Sequence, residues 1–96
     1  MAMMIIPDEK VVRLMKLLKK PLTMKIISRL ARGDMYLTQL AEELGTTIQN
    51  LNAYLLEFQF LHVVIPRYER GVRSIRKYLT LNMDNFIITL NGGEER

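Results

Sequence analysis

Two stretches of the chain carry residue types that recognise a base edge or an anion. Within IQNLNAYLLEFQF, residues 48–60, Gln49, Asn50 and Asn52 sit close together and Ala53 follows. A carboxamide presents a donor and an acceptor side by side, the pattern that matches adenine N6 and N7. An alanine methyl suits the thymine methyl. The segment has no lysine or arginine, and Glu57 is its only charge. The second stretch, RYERGVRSIRK, sets Arg67, Arg70, Arg73, Arg76 and Lys77 against the single acid Glu69. Guanidinium groups in such a cluster can make charge-assisted bonds to phosphate oxygens. Phosphate contacts position a protein on a duplex and base contacts specify the sequence. The plainer reading of each stretch is a solvated helix face and a solvated hairpin.

The neighbouring elements must position these groups. Pro7-Asp8 opens a first helix with Val11, Leu14, Met15, Leu17 and Leu18 apolar and Lys16, Lys19 and Lys20 late. Basic residues suit a helix C-terminus. Pro21 stops this helix or starts the next. Leu22, Ile26, Ile27 and Leu30 give a second helix one apolar face, and Gly33 ends it. Met35, Tyr36 and Leu37 read as a short extended link. Thr38 is then a suitable N-cap for a two-turn helix with Leu40, Ala41 and Leu44 inward, closed by Gly45. Thr46 and Thr47 compete to cap the fourth helix, Thr46 with Gln49 as a capping box. Ile48, Leu51, Leu55 and Phe58 form its expected buried stripe.

After His62 the periodicity changes. VVIPRY is short and β-branched, and RSIRKYLTL alternates, with Gly71 between the two runs. This predicts a β-hairpin with a basic tip, and Pro66 requires its strand to be an edge or to end there. MDNFIITL predicts a last helix capped by Asn82 or Asp84. Residues 1–7 and 91–96 are expected to be flexible tails of a single 96-residue domain.

Composition narrows the function classes. Apolar residues make up 49% of the chain, enough for a core, and the net charge of +4 is compatible with a nucleic-acid partner. A domain this small gains from dimerisation. There is no cysteine and one histidine, so neither disulfides nor a metal site is expected. No apolar run reaches the length of a membrane span, and MAMMIIPDEK lacks a basic n-region and a cleavage site. The expected location is cytoplasmic, associated with the nucleoid. No Gly-rich phosphate loop, no Ser/His/Asp set and no carboxylate pair near a histidine is visible, so no enzyme and no cofactor are expected.

The element order helix, helix, helix-turn-helix, hairpin is that of a winged helix-turn-helix domain, mainly α with a small β-hairpin. The stretch KPLTMKIISRLARGDMYLTQLAEELGTTIQNLNAYLLEFQFLHVV resembles the ArsR-like winged-helix repressors. The likeness rests on Pro21, Met24, Ile26, Ile27, Thr38, Leu40, Ala41, Leu44, Gly45, Thr47, Leu51, Leu55 and Phe58, with YLTLN at 78–82 like the end of the family's wing. It covers roughly residues 11 to 82, and its spacing is shared by several winged-helix families. The chain departs from the family in three ways. It has no cysteine in the third helix and no histidine after His62, which argues against metal sensing. It lacks the glycine that usually ends the recognition helix, and its wing is longer and more basic.

The expected partner is double-stranded DNA, bound by a homodimer acting as a transcription regulator. Gln49, Asn50, Asn52 and Ala53 are the expected base readers. Thr47, Lys25, Arg29, Arg67, Arg70, Arg73, Arg76 and Lys77 are the expected phosphate contacts. Val11, Leu14, Met15 and Leu18 with Phe86, Ile87 and Leu90 form the expected dimer surface. The alternative is a protein-binding winged-helix module using Leu56 and Phe60.

Overall fold

The computed structural model describes residues 3–6, 8–83 and 85–88. Among these residues the order is β1 (Met3–Ile6), α1 (Asp8–Leu18), α2 (Thr23–Ala31), β2 (Met35–Tyr36), α3 (Leu37–Leu44), α4 (Ile48–Phe60), β3 (Val64–Arg70), β4 (Ile75–Leu81) and β5 (Asn85–Ile88). Strands β3 and β4 form an antiparallel hairpin, and β2 adds to β4, giving the sheet order β2-β4-β3. Pro66 lies on β3, an edge strand, where its missing N–H interrupts no central ladder.

The core forms where the helices meet this sheet. Ile26, Leu40, Leu51, Leu55 and Leu79 are fully buried. Each such side chain contributes roughly 1.5–3 kcal/mol by leaving water. The buried stripe of α4 is Leu51, Tyr54, Leu55 and Phe58, the i, i+3, i+4, i+7 face of one helix. It begins one turn later than the apolar spacing implied, because Ile48 opens the helix and stays 40% exposed. Tyr54 fills the stripe because its hydroxyl has a partner, the Leu22 N–H at 3.4 Å. Buried Thr23 is satisfied in the same way, its hydroxyl donating to the Leu17 carbonyl and tying α2 to the end of α1.

Both helices of the helix-turn-helix end in a left-handed stop. After α3, Gly45 sits at φ 68°. Its N–H reaches the Glu42 carbonyl at 3.2 Å and Thr46 N–H reaches Ala41 at 3.0 Å. After α4, His62 takes the equivalent seat at φ 60°. His62 N–H donates to Gln59 at 3.0 Å and Val63 N–H to Phe58 at 2.8 Å. Buried Val63 and Phe58 supply the apolar contact that accompanies such a stop. The chain therefore keeps the expected termination without the expected glycine.

Four expectations change. Thr38 does not cap α3. The cap is Tyr36, whose N–H donates to Gln39 Oε1 at 3.3 Å, so Thr38 falls inside the first turn. Residues 3–6 of the expected tail form β1, which pairs in parallel with β5, Met3 against Asn85 through Ile6 against Ile88. Residues 85–88 are consequently strand rather than helix. Asn-Phe-Ile-Ile suits a strand, and β1 supplies the ladder partner that periodicity within the segment could not reveal. Leu14 is 1% exposed inside this chain's own core, so it is unavailable to a dimer surface.

The two left-handed seats generate opposite expectations. Replacing His62 with Gly relieves a backbone strain that a Cβ creates and should stabilise the domain by about 1 kcal/mol. Gly45→Ala should destabilise it by about the same amount through backbone strain alone, since a Cβ there meets no atom within 4 Å. Urea unfolding followed by circular dichroism reads both. Equal midpoints for His62→Gly and wild type would contradict the strain at His62.

Candidate nucleic-acid interface

The start of α4 is ordered by its caps. Thr47 Oγ1 accepts the Asn50 backbone N–H at 3.0 Å. The Asn50 side-chain amide donates to Thr46 Oγ1 at 2.8 Å. One amide hydrogen and the carbonyl oxygen of Asn50 thus keep capacity for a further partner. The carboxamide is held in place rather than left to rotate. Gln49, Asn50 and Ala53 are exposed and Asn52 is half-buried. Thr47 is also exposed, and its hydroxyl can still donate outward while it caps. The unpaired N–H groups of the first turn favour an anion at this end.

The wing arranges its cations on tyrosine rings. Alternation along the strands places Arg67, Glu69, Tyr78 and Arg76 on one face with Tyr36. The Arg67 guanidinium lies 4.6 Å from the Tyr78 ring centre and that of Arg76 lies 4.7 Å from Tyr36. The two rings pack at 4.8 Å. Tyr36 donates its hydroxyl hydrogen to Glu69 at 2.8 Å, and Arg67 pairs with Glu69 at 3.2 Å. Glu69 is held below the usual carboxylate range, first by the Tyr36 hydroxyl and then by Arg67. On the opposite face Lys77 lies 5.9 Å from the Tyr68 ring. At the tip, Gly71 N–H donates to the Ser74 carbonyl at 2.6 Å, and a Cβ on Gly71 would come within 2.8 Å of that same oxygen. Only glycine fits this turn without moving backbone. Arg70 and Arg73 flank it, exposed, and neither has an ion pair among the described residues.

On α2 the expected phosphate contacts differ from each other. Lys25 is exposed. Arg29 is half-buried and pairs with Glu43 at 2.7 Å, so it joins α2 to α3. Arg32 approaches the same carboxylate at 3.8 Å. Of the expected dimer surface, Val11 and Leu18 pack half-buried against the core, while Met15 is exposed, as is Val12, which the apolar spacing did not single out. The side chains of Phe86 and Ile87, and all of Leu90, lie outside the described residues.

One cluster has no counterpart in the sequence patterns. Arg13 on α1 makes a bidentate pair with Glu57 on α4, its shortest bond 2.9 Å, and stacks 3.6 Å over the Phe60 ring. Lys10 lies 5.0 Å from the same ring and donates to the Phe60 carbonyl at 3.3 Å. Phe60 is thereby partly covered within its own fold, whereas Leu56 remains 68% exposed. Arg13 and Glu57 are 44 positions apart, and no local signal links them.

Four helices, a short strand ahead of the third and a β-hairpin after the fourth make this a winged-helix-like domain. No protein-family model and no curated protein matches the chain. No helix among the described residues is long and apolar enough to cross a membrane.

The Glu57 carboxyl is likewise held below its usual value of 4.5, first by the Arg13 hydrogen bonds. A depressed folded-state value means that the pair stabilises above the unfolded value and loses this contribution as pH falls below it. Glu57→Gln should lower stability at neutral pH by up to about 1 kcal/mol. It should also reduce the loss of stability between about pH 5 and pH 3. Thermal melts of both proteins across that range check it; parallel pH profiles would refute the linkage.

Proposed function

We propose that the protein is a sequence-specific, duplex-DNA-binding transcription regulator, a repressor of ArsR-like type that senses no metal. It works inside the cell as a homodimer and has no catalytic activity. The observation that carries this reading is the capped, uncharged and exposed start of α4, with Gln49, Asn50 and Ala53 presented by a helix-turn-helix. Carboxamides and a methyl can read adenine and thymine without a cation, so the missing lysines and arginines of α4 are no obstacle to base readout. Grip on the backbone falls to the wing, where Arg70 and Arg73 flank the turn and stacked Arg67 and Arg76 are pre-oriented.

A second reading has one observation behind it. Leu56 is a large apolar side chain left exposed on α4, which suits a protein partner. A Leu56→Ser variant that keeps DNA binding but loses a protein contact would favour that reading.

The DNA reading makes distinct demands on the two groups of residues. If each protomer neutralises three or four phosphates, the dimer's log K should fall against log salt with a slope of about −5 to −7. Arg70→Ala with Arg73→Ala should weaken binding to every duplex alike and flatten that slope. Asn50→Ala should mainly reduce discrimination between sequences, by about 1–3 kcal/mol at the contacted base pair. Fluorescence-anisotropy titrations at several salt concentrations measure all three. A wild-type slope near zero would defeat the proposal.

A further inference from the structure

Helix α4 carries no cation anywhere along its length, yet a run of cations lies beside its second half. Lys10 and Arg13 on α1 reach α4 at Phe60 and Glu57, and Lys16, with Lys20 just beyond the end of α1, lines the space between the two helices. Their placement is built into the fold. Lys10 and Arg13 rest on the Phe60 ring, and Lys20 lies 5.1 Å from the Tyr54 ring. Between the two helices is an open cavity of about 300 Å³ lined by Arg13, Lys16, Leu17, Lys20 and Glu57. Glu57 neutralises Arg13 at its rim. Lys16 and Lys20 are exposed and have no ion pair among the described residues.

The dimensions of a duplex give this stripe an occupant. At 1.5 Å per residue, α4 is about 20 Å long, whereas a major groove is about 12 Å wide. If the first turns of α4 enter the groove, its second half emerges past the phosphates at the rim. Those phosphates then face a helix segment that offers only Glu57 as a charge. We propose that the α1 stripe, chiefly Lys16 and Lys20, is a second backbone-binding surface that grips duplex phosphates flanking the site read by α4. The inference rests on the DNA reading above and extends it. Recognition helix and cations are here divided between two helices, with α1 supplying the charge that α4 lacks.

The test compares wild type, Lys16→Gln, the double variant Lys16→Gln/Lys20→Gln and the wing variant Arg70→Ala/Arg73→Ala on one duplex. It combines salt titrations with hydroxyl-radical footprinting. Both lysines are exposed, and circular dichroism melts are to check that the variants fold. Removing two phosphate contacts per protomer should flatten the slope by about 1.8 per protomer bound, with about half of that for Lys16→Gln alone. Affinity for all duplexes should fall on the order of tenfold to a hundredfold. The double variant should lose protection at flanking sugars while keeping the wing's protections, and the wing variant should show the reverse. If wild type binds with a steep slope and the lysine variants keep both slope and flanking protection, the stripe proposal is overturned and the DNA reading survives. The stripe proposal is equally overturned if the lysine substitutions impair binding of a poly-glutamate peptide but leave the DNA slope unchanged. If wild type shows no salt-dependent binding, the DNA reading fails and takes the stripe with it.

Discussion

Helix α4 must bury one face and has no charge on the other except Glu57. Leu51, Tyr54, Leu55 and Phe58 anchor it in the core, leaving Gln49, Asn50, Ala53 and Leu56 outward. Three apolar side chains and a tyrosine with a bonded hydroxyl set its rotation about its axis. A different rotation would expose Phe58 and bury carboxamides without partners, each at a penalty of a few kcal/mol. The polar tip is therefore presented by hydrophobic packing, and its caps only refine it. Every cation that could act alongside α4 has to arrive from another element.

Those cations are not left loose. Arg67 and Arg76 lie over Tyr78 and Tyr36, Lys77 lies near Tyr68, and Arg13 and Lys10 lie on Phe60. Stacking restrains a long side chain while leaving most of its N–H donors available. Three acids pair with particular cations. Glu69 ties Tyr36 to Arg67, Glu57 fixes Arg13 and Glu43 holds Arg29, whereas Arg70, Arg73, Lys16 and Lys20 have no such partner among the described residues. Cations held by an acid, Arg13, Arg29 and Arg67, are thus separated from those presented without one.

The helix ends bear on this separation. Gly45 and His62 both turn the chain through the left-handed region, one between α3 and α4 and the other between α4 and the wing. The first sets the angle at which α4 leaves α3, and the second sends the chain directly into β3. Histidine accepts that region at a modest penalty, and the Val63–Phe58 contact in the core offsets it. Position 62 needed a backbone conformation that the local sequence does not advertise.

Much of the architecture was written in neighbouring residues. The 3.6-residue spacing of α2 and α4, the left-handed glycine after α3, and the alternation and edge proline of the wing all depend on residues within a turn or two of each other. The same holds for the exposed carboxamides, because the buried stripe leaves them only one side. The tertiary structure alone decided what depends on distant partners. It placed Tyr54 inside by giving its hydroxyl the Leu22 N–H, and it moved the α3 cap to Tyr36 through a sheet shared with β4. It made strands of residues 3–6 and 85–88 by pairing them with each other, and it brought Arg13 to Glu57. Local patterns report which face of an element is apolar. They do not report which other element supplies a hydrogen-bond partner or a counter-charge, since that information lies in the fold as a whole.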